Sequence, residues 1–197
     1  MKCKFWLVLI AIASAMLSAC GSAPMVRDSK VLNMPAQKVA FLRFIYRQSE
    51  MKTVSSYGRG SVPYGENGFS EFGPLLAKRA ADTFAKYQVK VSESIRTDAK
   101  ESIVIKPDNL DVPMLLVYPS KGTIVNNLHA SRATFVFDAQ IIDFSAKKIL
   151  WKASIDTDTW SGRDFITESA KPTLYDEAYA DQLLKTLADR MREDGVI

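Results

Sequence analysis

The chain has few of the residues that form disulfides or bind metal ions. Its 197 residues include two cysteines and one histidine. Cys3 lies in an N-terminal segment that we expect to be removed, and we expect Cys20 to be modified, so no cysteine remains for a disulfide or a metal site. A transition-metal site would have to combine His129 with carboxylates, and none is expected. The fold must therefore rest on packing alone, and we predict no cofactor.

An excess of charge of one sign is also lacking. Lysine and arginine number 26 and aspartate and glutamate 22, which gives a net charge of +4. Lys2 and Lys4 are the only charges in the first 20 residues, so the rest of the chain keeps a net charge of +2. A charge this small gives no reason to expect a nucleic-acid partner.

No hydrophobic run is long enough to span a membrane comfortably. The apolar stretch from Phe5 to Leu17 has about 13 residues, whereas a spanning helix needs roughly 20. Two lysines precede this stretch and small residues follow it, which is the three-part pattern of a secretory signal. An ordinary signal peptide that happens to end near a cysteine remains an alternative to the lipoprotein signal described next.

The tetrad Leu17-Ser18-Ala19-Cys20 resembles the lipobox of bacterial lipoproteins. The resemblance implies cleavage before Cys20, which then carries a diacylglycerol through its sulfur and a fatty acyl chain such as palmitate on its nitrogen. More than one chain makes such an anchor stable, because each buried methylene adds about 0.8 kcal/mol. In enterobacterial lipoproteins an Asp after the cysteine favours the inner membrane. Gly21 stands there instead, so we expect the periplasmic side of the outer membrane, with the inner membrane as the alternative.

Three segments follow from this signal. Residues 1–19 are the signal peptide, residues 20–37 the lipidated cysteine and a tether, and residues 38–197 a single periplasmic α/β domain. The segment from Gly21 to Pro35 has few apolar residues in sequence. It predicts a tether with a reach of at most about 50 Å, at roughly 3.3–3.6 Å per residue.

Apolar periodicity predicts an α+β sandwich, a mixed sheet with two amphipathic helices packed on it. The two longest strands form an antiparallel hairpin, and the predicted strands are Lys38–Tyr46, Val89–Ser94, Met114–Tyr118 with a continuation at Thr123–Val125 after a break, Ala133–Phe144 and Lys148–Thr159. One helix spans Phe72–Gln88 with Pro74 in its first turn. The closing helix has a stripe of Tyr179, Leu183, Leu187 and Met191, a Thr173 and Asp176 cap pair, and Gly195 at its C-terminal cap.

The hairpin is predicted to bury one face. Phe135, Phe137, Ala139 and Ile141 share a face of its first strand, and Ile149, Trp151, Ala153 and Ile155 share a face of its second. Asp156 and Asp158 lie on the solvent side by this alternation. Ser120-Lys121-Gly122 is interpreted as a turn at a strand end.

The segment Asp143–Trp151 (DFSAKKILW) resembles a recurring hairpin of small envelope lipoproteins. With the opening VAFLRF strand and a helix after a long loop, residues 38–192 resemble, in element order, the superfamily of the curli secretion lipoprotein CsgG, the penicillin-binding-protein activator LpoB and the TolB N-terminal domain. The ABC-transporter auxiliary lipoproteins such as PqiC have a similar order, although their Tyr-Tyr-x-Leu opening is absent. The resemblance implies a mixed sheet with helices packed on it, and assembly or partner binding without catalysis.

A long loop is the predicted binding surface. The stretch from Arg47 to Glu71 has no clear period, and five of the nine glycines lie between Gly58 and Gly73. Long irregular runs inside compact domains are usually functional or disordered. We predict contacts with a protein partner from Tyr57, Arg59, Tyr64 and Phe69, with Arg163 and Phe165 of the loop Ser161–Lys171 as further candidates. A mobile connector with scattered aromatic residues is the alternative.

Three functions remain open from the sequence. The first is a non-catalytic binding or assembly module of the cell envelope, held to the membrane by Cys20 and acting on an envelope protein or on further copies of itself. The second is an auxiliary subunit of an ABC-type lipid or solute transporter. The third is a hydrolase that would use His129 with Asp138 or Asp143, but no Gly-x-Ser-x-Gly motif accompanies it. We therefore expect the chain not to be an enzyme.

Overall fold

The computed structural model describes residues 21–35, 37–48, 69–97, 103, 110–126, 130–162 and 175–197. Within these ranges the elements are, in chain order, β1 (Gly21–Val31), β2 (Phe41–Arg47), α1 (Phe69–Ala85), β3 (Lys90–Thr97), β4 (Met114–Asn126), β5 (Ala130–Asp143), β6 (Lys148–Gly162) and α2 (Glu177–Glu193). No helix in this part of the chain is long and apolar enough to cross a membrane.

The strands form one mixed sheet in the order β1-β6-β5-β4-β2-β3. The pairs β1/β6, β6/β5 and β5/β4 are antiparallel, whereas β2 is parallel to both β4 and β3. The predicted fold class is confirmed: the sheet is mixed, its long hairpin is antiparallel and two helices pack on it. The predicted break in β4 is a bulge between Pro119 and Lys121, so Ser120-Lys121-Gly122 lies inside a strand and not in a turn at its end.

The β5–β6 hairpin turns through residues 144–147. The carboxylate of Asp143 closes the turn by accepting hydrogen bonds from Ser145 Oγ at 2.7 Å and from the Ala146 backbone N–H at 2.9 Å. These bonds, led by the one from Ala146, lower the pKa of Asp143. Lys147 has a φ of 52°, the left-handed conformation that such a tight connection needs.

One residue of the hairpin faces the opposite way from its prediction. Ile141 pairs with Trp151 and Ile142 pairs with Ile149, which leaves Leu150 as an extra residue in β6. This bulge shifts the alternation by one position. Leu150 is therefore buried and Ile149 is exposed, and the prediction that Ile149 shares the buried face is wrong.

Both helices pack on the same face of the sheet, over the inward-facing residues of β5 and β6. The predicted stripe of α2 is confirmed, since all seven apolar residues from Tyr179 to Met191 are buried. Asp176 caps α2 by accepting from the Tyr179 N–H at 2.8 Å, and Gly195 has the left-handed φ of 73° expected just past its end. Thr173, the predicted partner of Asp176, lies outside the described residues.

Helix α1 approaches β2 closely at Gly73. A Cβ atom there would lie 2.4 Å from Cε1 of Tyr46, so only glycine fits without a shift. The helix begins at Phe69, three residues earlier than predicted. Pro74 therefore lies beyond the first turn, which corrects its predicted position, and it lies on the exposed side of the helix.

The predicted tether is wrong. Gly21–Val31 is a strand paired with β6 from Gly21 opposite Thr159 to Val31 opposite Trp151. Helix α2 also bonds to it: Thr186 Oγ1 donates to the Pro24 carbonyl at 3.5 Å and Arg190 Nε donates to Ser29 Oγ at 2.6 Å. The segment has few apolar residues because backbone pairing, and not an apolar run, holds an edge strand in place.

Candidate functional site

The residues predicted to carry function lie outside the described part of the chain. They are Cys20, Tyr57, Arg59, Tyr64, Arg163 and Phe165; His129, considered only for the hydrolase that was not expected, also lies outside it. Phe69 is the exception, because it is the first residue of α1. The predicted loop therefore ends before Phe69 and not at Glu71, and Phe69 stays a predicted partner contact at the start of α1.

A different surface stands out in the described residues: the face of the sheet opposite the two helices. In the described ranges no helix covers it. Residues that pair directly across neighbouring strands point to the same side of a sheet. One such row crosses four strands as Met25, Asp156, Val136 and Lys121. A second row, two residues further along, contains Asp158, Thr134 and Thr123.

These two rows line a pocket of about 470 Å³, which we call the β1 pocket. Its walls also include Ala23 and Arg27 of β1. The volume falls in the range of small-molecule sites, roughly 300–1,000 Å³. Four adjacent strands supply the lining, so its geometry is set by the sheet register and not by a loop.

The β1 pocket contains charges of both signs. Arg27 holds Asp156 in a two-point ion pair, with Nε 3.0 Å from Oδ2 and Nη2 2.8 Å from Oδ1. Lys121 is exposed, and within the described ranges no carboxylate lies at ion-pair distance from it. Asp158 adds a second acid to the lining. The pocket therefore offers an available ammonium group beside a carboxylate-bearing row.

The middle of the same face carries a polar ladder. Gln140 Nε2 donates to the Tyr118 hydroxyl at 3.2 Å, and Ser154 Oγ donates to Asp138 Oδ1 at 2.6 Å. Burial raises the pKa of Tyr118, the charge of Asp138 adds to this, and the bond from Gln140 opposes it. Asp138 and Asp143, the acids considered for a hydrolase, thus each serve a local hydrogen bond.

The far end of this face buries an arginine. Arg43 is 1% exposed, with Nη1 3.7 Å from Glu93 Oε2 and its guanidinium carbon 5.8 Å from the ring centroid of Phe144. Within the described residues its Nε and Nη2 have no acceptor. A small apolar cluster of Ile45, Met114 and Leu116 lies on this face as well. At one end of the face, Arg43 lies beside an apolar cluster, and at the other end lies the charged β1 pocket.

Only part of the β1 pocket lining could be grouped from the sequence. The spacing of Asp156 and Asp158 placed both acids on one strand face. Lys121 was assigned to a turn, and Met25 and Arg27 to a tether. The pocket needs the register of four strands, and no local pattern encodes that register. Within the described ranges no cluster of three or more His, Cys, Asp or Glu side chains could hold a metal ion.

No protein-family model and no curated protein matches the chain. Solved structures with a similar fold include the PelC dodecamer of Paraburkholderia phytofirmans, at 14% identity and a TM-score of 0.40, covering 82% of this chain and 94% of that one. Lipoprotein GNA1162 of Neisseria meningitidis matches at 14% identity and a TM-score of 0.37, covering 76% and 98%. The rare lipoprotein B of Shewanella oneidensis matches at 14% identity and a TM-score of 0.36, covering 79% and 92%. Likenesses this distant assign no family to the chain.

Proposed function

We propose that this protein is a lipid-anchored lipoprotein of the bacterial cell envelope and that it acts by binding another envelope protein. Cys20 is the lipidated residue, and the outer membrane is the site of anchoring. One observation carries the proposal: Gly21, the residue directly after the cysteine of the lipobox, is already paired in β1, opposite Thr159 of β6.

This arrangement fixes the domain close to its lipid. A chain that starts as a paired strand has no slack between the anchor and the sheet. The β1–β6 ladder and the bonds from Thr186 and Arg190 of α2 restrain the strand along its length. The domain is therefore presented at the membrane surface in a restricted orientation, which favours partners in or on the same membrane.

Binding, and not catalysis, is the activity that this arrangement supports best. The titratable groups at the centre of the helix-free face are engaged in local bonds, as for Asp138 with Ser154. The predicted contact residues Tyr57, Arg59, Tyr64 and Phe69 remain our candidates for the protein contact, with Arg163 and Phe165 next. Tyrosine and arginine are enriched among the residues that dominate binding energy at interfaces.

Labelling tests the anchor. Cells that express the full chain are grown with labelled palmitate, and the protein is compared with Cys20→Ser and with the matched control Cys3→Ser. We expect the control to incorporate label like the wild type and the Cys20→Ser variant to incorporate none, because serine cannot form the thioether. Label in the Cys20→Ser variant at the wild-type level would show that the lipoprotein proposal is wrong.

Crosslinking in cells tests the partner. A photoreactive residue placed at Tyr57 or Tyr64 should trap one defined envelope protein, whereas the same residue at exposed Lys185 of α2 should not. A trapped transporter subunit would favour the auxiliary-subunit function instead. A band that appears equally from all three positions would contradict a binding surface in the loop. Combined replacement of Tyr57, Arg59 and Tyr64 by Ala should abolish the crosslink from Arg163 or Phe165 without lowering the Tm.

A further inference from the structure

We propose that the β1 pocket binds the head group of a zwitterionic phospholipid from the membrane that holds the anchor. The inference rests on the proposed lipidation of Cys20. With this site, the protein would contact the membrane through the β1 pocket as well as through its acyl chains.

The pocket lies close to the lipidated residue along the chain. Ala23 and Met25 of the pocket wall lie three and five residues after Cys20. Three and five residues of chain span at most about 11 and 18 Å, at roughly 3.3–3.6 Å per residue, so the two residues lie no further than that from the lipidated residue. The head-group layer of each leaflet is roughly 5–8 Å thick, from a total bilayer of about 40–45 Å around a core of about 30 Å. The near wall of the pocket therefore reaches the head groups when β1 lies along the membrane surface and not perpendicular to it.

The pocket lining carries charges of both signs. Lys121 offers an ammonium group with no ion-pair partner among the described residues, and it can bind a phosphate oxygen. Asp158 on the adjacent row adds negative charge to the lining, which attracts a ligand ammonium group. Arg27 and Asp156 compensate each other as an ion pair. Balanced charge disfavours a purely anionic ligand and fits one that carries a phosphate and an amine.

The neutral residues of the pocket lining also suit a phospholipid head group. Thr123 and Thr134 face each other across β4 and β5 in the second row, and their hydroxyls can donate to or accept from phosphate and glycerol oxygens. Met25 is 63% exposed at the pocket wall. An apolar side chain beside the anchor gains free energy by entering the acyl boundary. Head-group binding and the insertion of Met25 therefore favour the same orientation of the domain.

Calorimetry on the intact lipoprotein in a non-ionic detergent tests the proposal. The protein is titrated with short-chain phosphatidylethanolamine, with the matching phosphatidylglycerol and with inorganic phosphate. We expect saturable binding of the ethanolamine lipid, weaker binding of the glycerol lipid and little binding of phosphate. Lys121→Ala should lower the affinity for the ethanolamine lipid about tenfold. Lys78→Ala, which removes an exposed lysine of α1 on the other face of the sheet, should change nothing.

Asp158→Asn is a second variant, and it should narrow the preference for the ethanolamine lipid over the glycerol lipid. Equal affinity in Lys121→Ala and Lys78→Ala would overturn the site. Phosphate that binds as tightly as the lipid would make this a free-phosphate site, and a preference for the glycerol lipid would overturn the zwitterionic assignment. If the protein incorporates palmitate but binds no lipid, only the head-group site is contradicted. If Cys20 incorporates no palmitate, the proposed anchor is contradicted, and so is the membrane as the source of the ligand.

Discussion

The indole Nε1 of Trp151 donates a 2.7 Å hydrogen bond to Oδ2 of Asp194, which joins β6 to the C-terminal end of α2. Arg190 Nη2 lies 3.0 Å from the other oxygen of Asp194, and Arg190 Nε donates to Ser29 Oγ of β1. Trp151 is fully buried and the side chain of Asp194 is 13% exposed. One partly buried polar network therefore joins the edge strand, the hairpin and the closing helix.

Trp151 should be one of the most costly residues to truncate. Trp151→Ala removes a large buried ring and leaves a cavity, which costs about 3–5 kcal/mol. Trp151→Phe keeps much of the ring but leaves Asp194 without its indole donor, so we expect an intermediate loss. Chemical denaturation measures both. A loss under about 1 kcal/mol for Trp151→Ala, well below the usual cost of a buried aromatic ring, would contradict its place in the core.

The same network predicts a specific acid sensitivity. Burial alone would raise the pKa of Asp194, but hydrogen bonds involving Trp151 and Ser29 and the charge of Arg190 outweigh it, and the pKa is lowered. A carboxylate with a depressed pKa in the folded state stabilises the fold above its unfolded pKa of about 4, and this contribution is lost as pH falls through the folded value.

Asp194→Asn should therefore lower the free energy of unfolding at pH 7 by about 1.5–3 kcal/mol, the usual range for a charged hydrogen bond. The difference from the wild type should shrink as pH falls from about 4, where the unfolded chain binds the proton, through the lower pKa of the folded state, where the native carboxylate also becomes protonated. Urea denaturation from pH 7 to pH 3 measures this. Asp111→Asn, at an exposed position, is the matched control, and a deficit in Asp194→Asn that stays constant with pH would rule out a charge effect.

The elements that sequence patterns predicted are those whose burial shows in local periodicity. The apolar stripe from Tyr179 to Met191 and the alternation around Phe135 are complete within one segment, so they need no knowledge of the partner. The predictions for Ile149 and for Gly21–Val31 were wrong for the opposite reason. The bulge at Leu150 and the pairing of β1 with β6 depend on a neighbouring strand, which no local window contains. The same limit hid the β1 pocket, since its walls come from four strands.

Arg43 gives a prediction in which removing a charge does no harm. Its guanidinium is buried, its nearest carboxylate is that of Glu93 at 3.7 Å, and two of its nitrogens have no acceptor in the described part of the chain. Replacing such a group by a hydrophobic side chain of similar volume is often neutral or stabilising by about 1–4 kcal/mol. We expect Arg43→Met to match or exceed the wild type in thermal unfolding.

Glu93→Gln is the companion variant, since it leaves the buried cation without its carboxylate. Glu93 is 39% exposed, so solvent screening limits the loss to about 1 kcal/mol. In the double variant with Arg43→Met that loss should vanish. An Arg43→Met protein less stable than Glu93→Gln would show that the guanidinium makes favourable contacts beyond Glu93.

Gly73 should not tolerate even one methyl group. Alanine favours a helix over glycine by about 1 kcal/mol, yet the new Cβ would lie 2.4 Å from the Tyr46 ring. Overpacking of this kind typically costs about 1–3 kcal/mol, so we expect Gly73→Ala to destabilise. In a double-mutant cycle with Tyr46→Leu, which removes the ring, the penalty should fall. Additive losses would mean that the strain does not come from this contact.

The last prediction decides whether β1 is part of the domain or a tether. A soluble form that starts at Gly21 keeps the strand, whereas a form that starts at Lys38, the boundary that the sequence predicted, removes it. The shorter form exposes the backbone edge of β6 over the paired stretch from Trp151 to Thr159. It also loses the packing of Val26 and Val31 on the core and the bond from Arg190 to Ser29.

Each of these two valines is only partly buried, so about 1 kcal/mol apiece is a fair value, and the lost hydrogen bond adds about 1 kcal/mol. A loss of about 3 kcal/mol lowers the Tm by about 6–12 °C for a domain of this size. Thermal unfolding and size-exclusion chromatography compare the two forms, and the open β6 edge should make the shorter one self-associate. If instead both melt within about 2 °C of each other, β1 detaches at little cost. The segment would then act as a flexible tether between the lipid and the domain. The restricted orientation that brings the β1 pocket to the membrane would be lost.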